Sequence, residues 1–237
     1  MAAKTNRKPK GRFGPGRNQL LQAQVSRRKR LYNIWILYSG RLGLDLSPKS
    51  DAAFFHTVML EGDESIKTYI PEPPPVITSV GGQASRTQFD ARVIPRKGRH
   101  KLDEVKDTFD PNDTRERHQF EAQSLIAADT GCEYRRFCRA DFEAMSPFLD
   151  NWIRACAVIG ACRDIVLEPY ATELLGYFRP STRMTLEHLL VPVDPVLGST
   201  YIAAILRAVQ EGILSSDLKD KPLCALSEFW LRDDTDA

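Results

Sequence analysis

The segment Phe89–Lys106, FDARVIPRKGRHKLDEVK, constrains this chain more than any other stretch. It reads as two extended arms, Phe89 to Ile94 and His100 to Lys106, joined by Pro95-Arg96-Lys97-Gly98, which has the composition of a hairpin turn. Folding the arms antiparallel about Lys97 sets Asp90 opposite Glu104. Side chains alternate faces along a strand, so Asp90, Glu104 and Lys106 share one face while Val105 points the other way, toward a core.

Two carboxylates and an ammonium gathered at a strand end have a definite chemistry. Hard cations such as Mg²⁺ take oxygen ligands, commonly one or two carboxylates together with waters and substrate phosphate. The ion lowers the pKa of a bound water and offsets charge on a phosphodiester in transit. A neighbouring lysine orients the water or stabilises the developing charge. The spacing D-(x)13-E-x-K supplies these parts. An E-x-K triplet by itself arises by chance about once in a chain this long. The aspartate in hairpin register lifts the pattern above that background; the plain alternative is a solvated hairpin with cross-strand ion pairs.

Charge is unevenly distributed. Residues 1–44 hold eleven of the 33 Lys and Arg and none of the 31 Asp and Glu, which leaves the remainder at 22 basic against 31 acidic residues, a net of −9. Arg7, Lys8, Lys10 and Arg12 lie among glycines and prolines, and Arg27, Arg28, Lys29 and Arg30 form a cluster. Such an arm suits a DNA backbone, where neutralising phosphates releases counterions; a solubilising tail is the alternative. No apolar run is long enough to span a membrane, and the N-terminus lacks the apolar core of a secretory signal. Cys132, Cys138, Cys156, Cys162 and Cys224 form no CxxC pair, which suits buried reduced thiols and a cytoplasmic protein. The four histidines show no metal-ligand spacing, and nucleophile-elbow, Walker and HExxH motifs are absent.

Along the chain, Leu31 to Tyr38 reads as a strand. Ser47-Pro48 opens a helix reaching about Leu60, with Phe54, Phe55, Val58 and Met59 as its apolar face. Ile66 to Ile70 is a strand that runs into Pro71-Glu72-Pro73-Pro74-Pro75, and Gly81-Gly82 marks a turn before the hairpin. Thr114 to Asp129 is an amphipathic helix with Phe120, Leu125 and Ile126 inward, closed by Gly131, and Glu133 to Cys138 is a further strand. The order helix, three strands, helix, strand predicts an α/β fold with a mixed sheet, antiparallel first and then crossing over.

This order of short motifs resembles the TnsA family, the endonuclease subunit of heteromeric transposases. The matching stretches are Leu60-Glu61-Gly62-Asp63-Glu64-Ser65-Ile66, Tyr69 to Pro73, Phe89-Asp90, Glu104-Val105-Lys106, Ala127 to Gly131 and Pro147 to Asn151. The resemblance implies a restriction-endonuclease-like fold, a mixed sheet flanked by helices bearing a PD-(D/E)xK site. Asp90 and Glu104, with the Val105 backbone carbonyl, would hold Mg²⁺ or Mn²⁺, and Lys106 would be the site lysine. The family also places a glutamate on the first helix; here that position is Ala53. His56 shares its helix face and Glu61 lies at the helix end, which makes these two the additional residues to consider. The family's proline before the hairpin aspartate is replaced by Phe89.

Beyond Trp152 the texture becomes helical. Ala155 to Leu167 and Arg183 to Leu190 read as helices, Thr200 to Gly212 as a strong one, and Leu214 to Leu218 and Leu223 to Trp230 as two short strands. Helix, loop, helix and hairpin form a winged-helix pattern, which the resemblance also implies. Arg207 is the only basic residue on its second helix, so protein docking suits it as well as DNA reading. The expected organisation is a basic arm and first strand over 1–44, a nuclease-like domain over 45–151, a helical connector over 152–180 and a winged-helix-like docking domain over 181–237. The expected function is a metal-dependent endonuclease subunit cutting double-stranded DNA at transposon ends beside a partner transposase and an ATPase regulator. A nuclease-fold scaffold that bridges DNA and those partners, and a stand-alone repair or resolvase nuclease, are the alternatives.

Overall fold

The computed structural model describes residues 35–232. Strands β1 (Leu37–Ser39) and β2 (Leu44–Leu46) form a short antiparallel pair before helix α1 (Asp51–Gly62). The helix is capped by Ser50, whose side chain accepts the Ala53 N–H at 3.1 Å. The expected cap, Ser47, instead donates to the Trp35 carbonyl, and the helix starts three residues later. Strands β3 (Ile66–Pro71), β4 (Val76–Val80), β5 (Gln83–Thr87), β6 (Ala91–Pro95) and β7 (Lys101–Val105) follow, then α2 (Thr114–Asp129) and β8 (Glu133–Phe137).

The fold is mixed α/β. A four-stranded sheet has the order β3-β6-β7-β8; its first three strands are antiparallel and β8 joins β7 in parallel after the α2 crossover. Ala91 pairs with Asp103 and Arg92 with Leu102, which is the hairpin register read from the sequence. Continuing it by one residue places Asp90 opposite Glu104, and the Asp90 N–H donates to the Asp103 carbonyl at 2.9 Å.

Strands β4 and β5 were not legible beforehand. They form a separate two-stranded ribbon against α2, turned by Gly81 and Gly82 at φ +56° and +78°. Two successive positive φ values are the requirement of a type I′ hairpin turn, which glycine meets without steric cost. Helix α2 has the expected limits but a different inward face. Ala122, Gln123, Ile126 and Ala127 are buried, whereas Phe120 and Leu125 are exposed. Phe120 lies instead against the Tyr134 ring and the Arg136 guanidinium. The inward face carries glutamines because the strand it covers carries Glu104.

The chain continues through α3 (Arg139–Ala144), α4 (Ser146–Ala161), α5 (Glu168–Leu175), β9 (Met184–Thr185), α6 (Leu186–Leu190), a 3-10 turn at Pro195–Leu197, α7 (Gly198–Gln210), β10 (Leu214–Ser216) and β11 (Glu228–Leu231). The last three strands form a sheet of order β10-β11-β9. The helix expected over Ala155–Leu167 begins nine residues earlier, with Pro147 in its first turn, where a missing N–H costs nothing.

One apolar cluster runs from Leu37 to Phe229, joining α1 and β6 to α4 and α7 through Trp152, Ala155, Ile205 and Leu206. A smaller one, Phe89, Leu102, Ile126 and Ala127, lies under α2. Gly62 permits a close approach: a Cβ there would stand 2.5 Å from the Trp152 ring. Arg41 ties the halves together by donating to the carbonyls of Leu60 (2.9 Å), Asp63 (2.6 Å), Ile66 (2.5 Å) and Gln210 (2.6 Å). It thereby satisfies carbonyls at the C-terminal ends of α1 and α7, where a cation also meets the negative ends of both helix dipoles. Asn151 pins the loop after β10 through bonds to the Leu218 and Lys221 carbonyls and the Leu223 N–H. All five cysteines are free thiols; Cys156 and Cys162 are buried, Cys132 and Cys138 half-buried, and Cys224 is exposed.

Candidate functional site

Strand β7 ends with Asp103, Glu104 and Val105, and the alternation of a strand sends them to opposite faces of the sheet. Glu104 goes to the α2 side. Its two oxygens accept from Gln119 Nε2 at 2.8 Å and Gln123 Nε2 at 2.7 Å. Lys106 follows on the same side; its Nζ lies 2.9 Å from Gln119 Oε1, 3.4 Å from Glu116 Oε1 and 3.9 Å from Glu104 Oε1. Asp90 stands just ahead of the inner strand β6, where its Oδ2 accepts the Val105 N–H at 2.7 Å. The three residues read from the hairpin are therefore brought together.

Electrostatics distinguish this cluster. Burial, and then the neighbouring Asp90 charge, push the Glu104 carboxyl up to about 7, against the pull of Gln123, Lys106 and Gln119. Burial also raises Asp90, opposed by the Val105 N–H. A buried Glu104 with the half-buried Asp90 charge nearby disfavours joint ionisation, which is the condition a divalent cation relieves.

A cleft of about 470 Å³ opens on the other side of Asp90, against α1. Ala53, His56, Glu72, Asp90 and Val105 are among its lining residues, with Lys49 at its wall. Lys49 pairs with Glu72 at 2.5 Å. Glu72 itself has φ +44°, and its N–H donates to the Asp90 carbonyl at 2.8 Å. Ala53 thus faces the same cleft as Asp90, and a carboxylate at that helix position would share the site.

His56 is also in the cleft wall, but its Nε2 lies 2.9 Å from Asp103 Oδ2. Arg135 clamps the same carboxylate through Nε at 2.9 Å and an Nη at 2.7 Å. Burial is the largest influence on Asp103 and would raise it, yet His56 and Arg135 together hold it below the ordinary carboxylate range. Glu61 does not join the site. It is fully buried near the far end of α1, accepting from Ser39 Oγ (2.5 Å), Tyr69 Oη (2.7 Å) and Gln210 Nε2 (2.8 Å). The basic arm residues Arg7, Lys8, Lys10, Arg12, Arg27, Arg28, Lys29 and Arg30 lie outside the described residues.

Sequence reasoning missed Gln119, Gln123 and the His56–Asp103–Arg135 cluster. The signal for the first pair was present: two glutamines four residues apart on an inward helix face imply a buried acceptor opposite them.

Among the described residues no group of three or more His, Cys, Asp or Glu side chains is arranged to hold a metal ion. The cluster offers two carboxylates, which fits Mg²⁺, an ion that keeps several waters and is usually bound through one or two such groups. No helix of the described residues is long and apolar enough to cross a membrane. A scan of protein-family models and a search of curated proteins find no match to this chain.

Proposed function

We propose that the chain is a metal-dependent DNA endonuclease, the cutting subunit of a heteromeric transposase acting on double-stranded DNA at transposon ends. The observation that carries this is the convergence of Asp90, Glu104 and Lys106 at one end of the β6–β7 hairpin in the register that the motif requires. The resemblance to the TnsA family supplies the biological setting. A restriction-endonuclease-like core is supported by the order α1, β3, β6, β7, α2, β8 and by the parallel entry of β8 beside β7.

In this reading Asp90, Glu104 and the Val105 carbonyl would hold Mg²⁺ or Mn²⁺, and the ion would supply a water of lowered pKa and charge to offset that of the phosphate. Gln119 and Gln123 keep Glu104 oriented; Gln119 also positions Lys106, whose ammonium faces the developing negative charge. The order α5, β9, α6, α7, β10, β11 supports a winged-helix-like C-terminal unit. Nine of the thirteen residues of α7 are buried, so its surface serves docking to a transposase or ATPase partner better than groove reading.

A second reading, a scaffold of weakened activity that bridges DNA and its partners, is favoured by one observation: Ala53 lines the cleft where the family carries glutamate. Metal-dependent cleavage of transposon-end DNA, measured with and without the partner transposase, separates the two. The endonuclease reading expects cleavage that Lys106→Ala lowers by about 10²–10³-fold while DNA binding persists. Absence of cleavage with every metal and partner establishes the scaffold.

A further inference from the structure

The β4–β5 ribbon and the first turns of α2 enclose a second groove of about 620 Å³, on the opposite side of Gln88 from the cleft. Its lining includes Arg86, Arg115 and His118 and no acidic residue. Neither guanidinium has a hydrogen-bond or ion-pair partner among the described residues, in a body that carries a net acidic charge. Thr87, also in its wall, is buried with a hydroxyl that lacks any partner among the described residues.

The groove adjoins the candidate site at two points. Gln88 lines both the groove and the Asp90 cleft. Gln119 lines the groove and bonds both Glu104 and Lys106. A phosphodiester held at Asp90 and Glu104 therefore has one cationic exit on the ribbon side.

We propose that the groove binds the DNA backbone next to the scissile bond, with Arg86 and Arg115 each contacting a phosphate and His118 flanking them. This rests on the endonuclease reading for the direction of the strand, but the binding itself does not require cleavage. Free guanidiniums on two separate elements match the spaced charges of a backbone, and such contacts position the substrate without reading its sequence. The ribbon would then be the device that lines up the duplex with the hairpin site.

The test is fluorescence anisotropy of the full chain with a labelled mixed-sequence DNA duplex in EDTA, as a function of salt. Each phosphate contact contributes about −0.9 to the slope of log K against log salt. The double variant Arg86→Gln/Arg115→Gln should weaken binding and make the slope shallower by about 1–2. Ser85→Glu, which leaves both arginines in place, should also weaken it. The control variant Arg154→Gln/Lys219→Gln, on exposed residues outside the groove, should leave slope and affinity unchanged. Unchanged slope and affinity in the groove variants would overturn the proposal, even if the wild type cleaves. A shallower slope in the groove variants of a protein whose wild type cleaves nothing would sustain the groove while removing the endonuclease reading. An unchanged DNA slope accompanied by lost binding of a poly-glutamate peptide would assign the groove to an acidic protein segment instead.

Discussion

Strand β7 carries two buried carboxylates in succession, and they have opposite fates. Asp103 points toward α1, where His56 and Arg135 surround it and hold it ionised below the ordinary range. Glu104 points toward α2, where it meets two neutral glutamines and a second carboxylate and is pushed up to about 7. Both are almost inaccessible to solvent. The contrast shows what burial alone does not decide. In the proposed reading, a carboxylate closed in by Arg135 and His56 belongs to the framework, and one left near another carboxylate would take up a cation.

If the α1 face is framework, removing its carboxylate should give the largest effect on stability. Asp103→Ala leaves the Arg135 guanidinium and the His56 ring without their acceptor, and should cost about 3–5 kcal/mol in chemical denaturation. A loss below about 1 kcal/mol would erase the distinction between the two faces. On the α2 face the large effect should fall on chemistry. Lys106→Ala or Glu104→Gln should lower metal-dependent cleavage by about 10²–10³-fold with DNA affinity nearly intact. Cleavage at the wild-type rate in either variant would refute the site.

The same comparison has a pH signature. Glu104 ordinarily titrates near 4.5 and is raised to about 7 in the fold. The fold therefore favours its protonated form; that stabilisation is fully present below 4.5 and is lost as pH rises through about 7. Glu104→Gln cannot ionise, so it should be about 1–3 kcal/mol more stable than wild type at pH 8 in the absence of metal, with little difference at pH 4. Asp103 behaves in the reverse sense: its contribution is present above its ordinary 3.8 and fades as pH falls through its lower folded value. Equal pH profiles for wild type and Glu104→Gln would contradict the assignment. The smallest expected effect is that of Ala53→Glu, which adds a carboxylate to the cleft beside Asp90. It should reduce the Mg²⁺ concentration for half-maximal cleavage by roughly tenfold or less, the equivalent of at most about 1.4 kcal/mol. No change would mean that α1 contributes nothing to the metal's surroundings.

How much of this was legible beforehand follows from which interactions are local. The hairpin was readable because its register depends on a turn and on two-residue alternation, so Asp90 opposite Glu104 needed no tertiary information. Helix α2 was readable in extent, from Thr114 to Asp129, but of its expected inward residues Phe120 and Leu125 are exposed and Ile126 is buried. Apolar periodicity points Phe120 and Leu125 inward, whereas the helix turns Gln119 and Gln123 toward a carboxylate that lies on another element. The β4–β5 ribbon escaped notice because Gln83-Ala84-Ser85-Arg86-Thr87 lacks the apolar alternation of a half-buried strand. The environment of Asp103 was also invisible, since His56, Asp103 and Arg135 come from three elements spread over 80 residues of sequence.

The most direct test of the contrast is a side-by-side ¹³C NMR titration of the Asp103 and Glu104 carboxyl groups, with and without Mg²⁺. Without metal, Glu104 should titrate at about 7 and Asp103 below 3.8. Saturating Mg²⁺ should bring Glu104 down toward its ordinary 4.5 and leave Asp103 unmoved. A Glu104 that titrates near 4.5 without metal, or that ignores Mg²⁺ entirely, would contradict the claim that the α2 face is the one built for a cation.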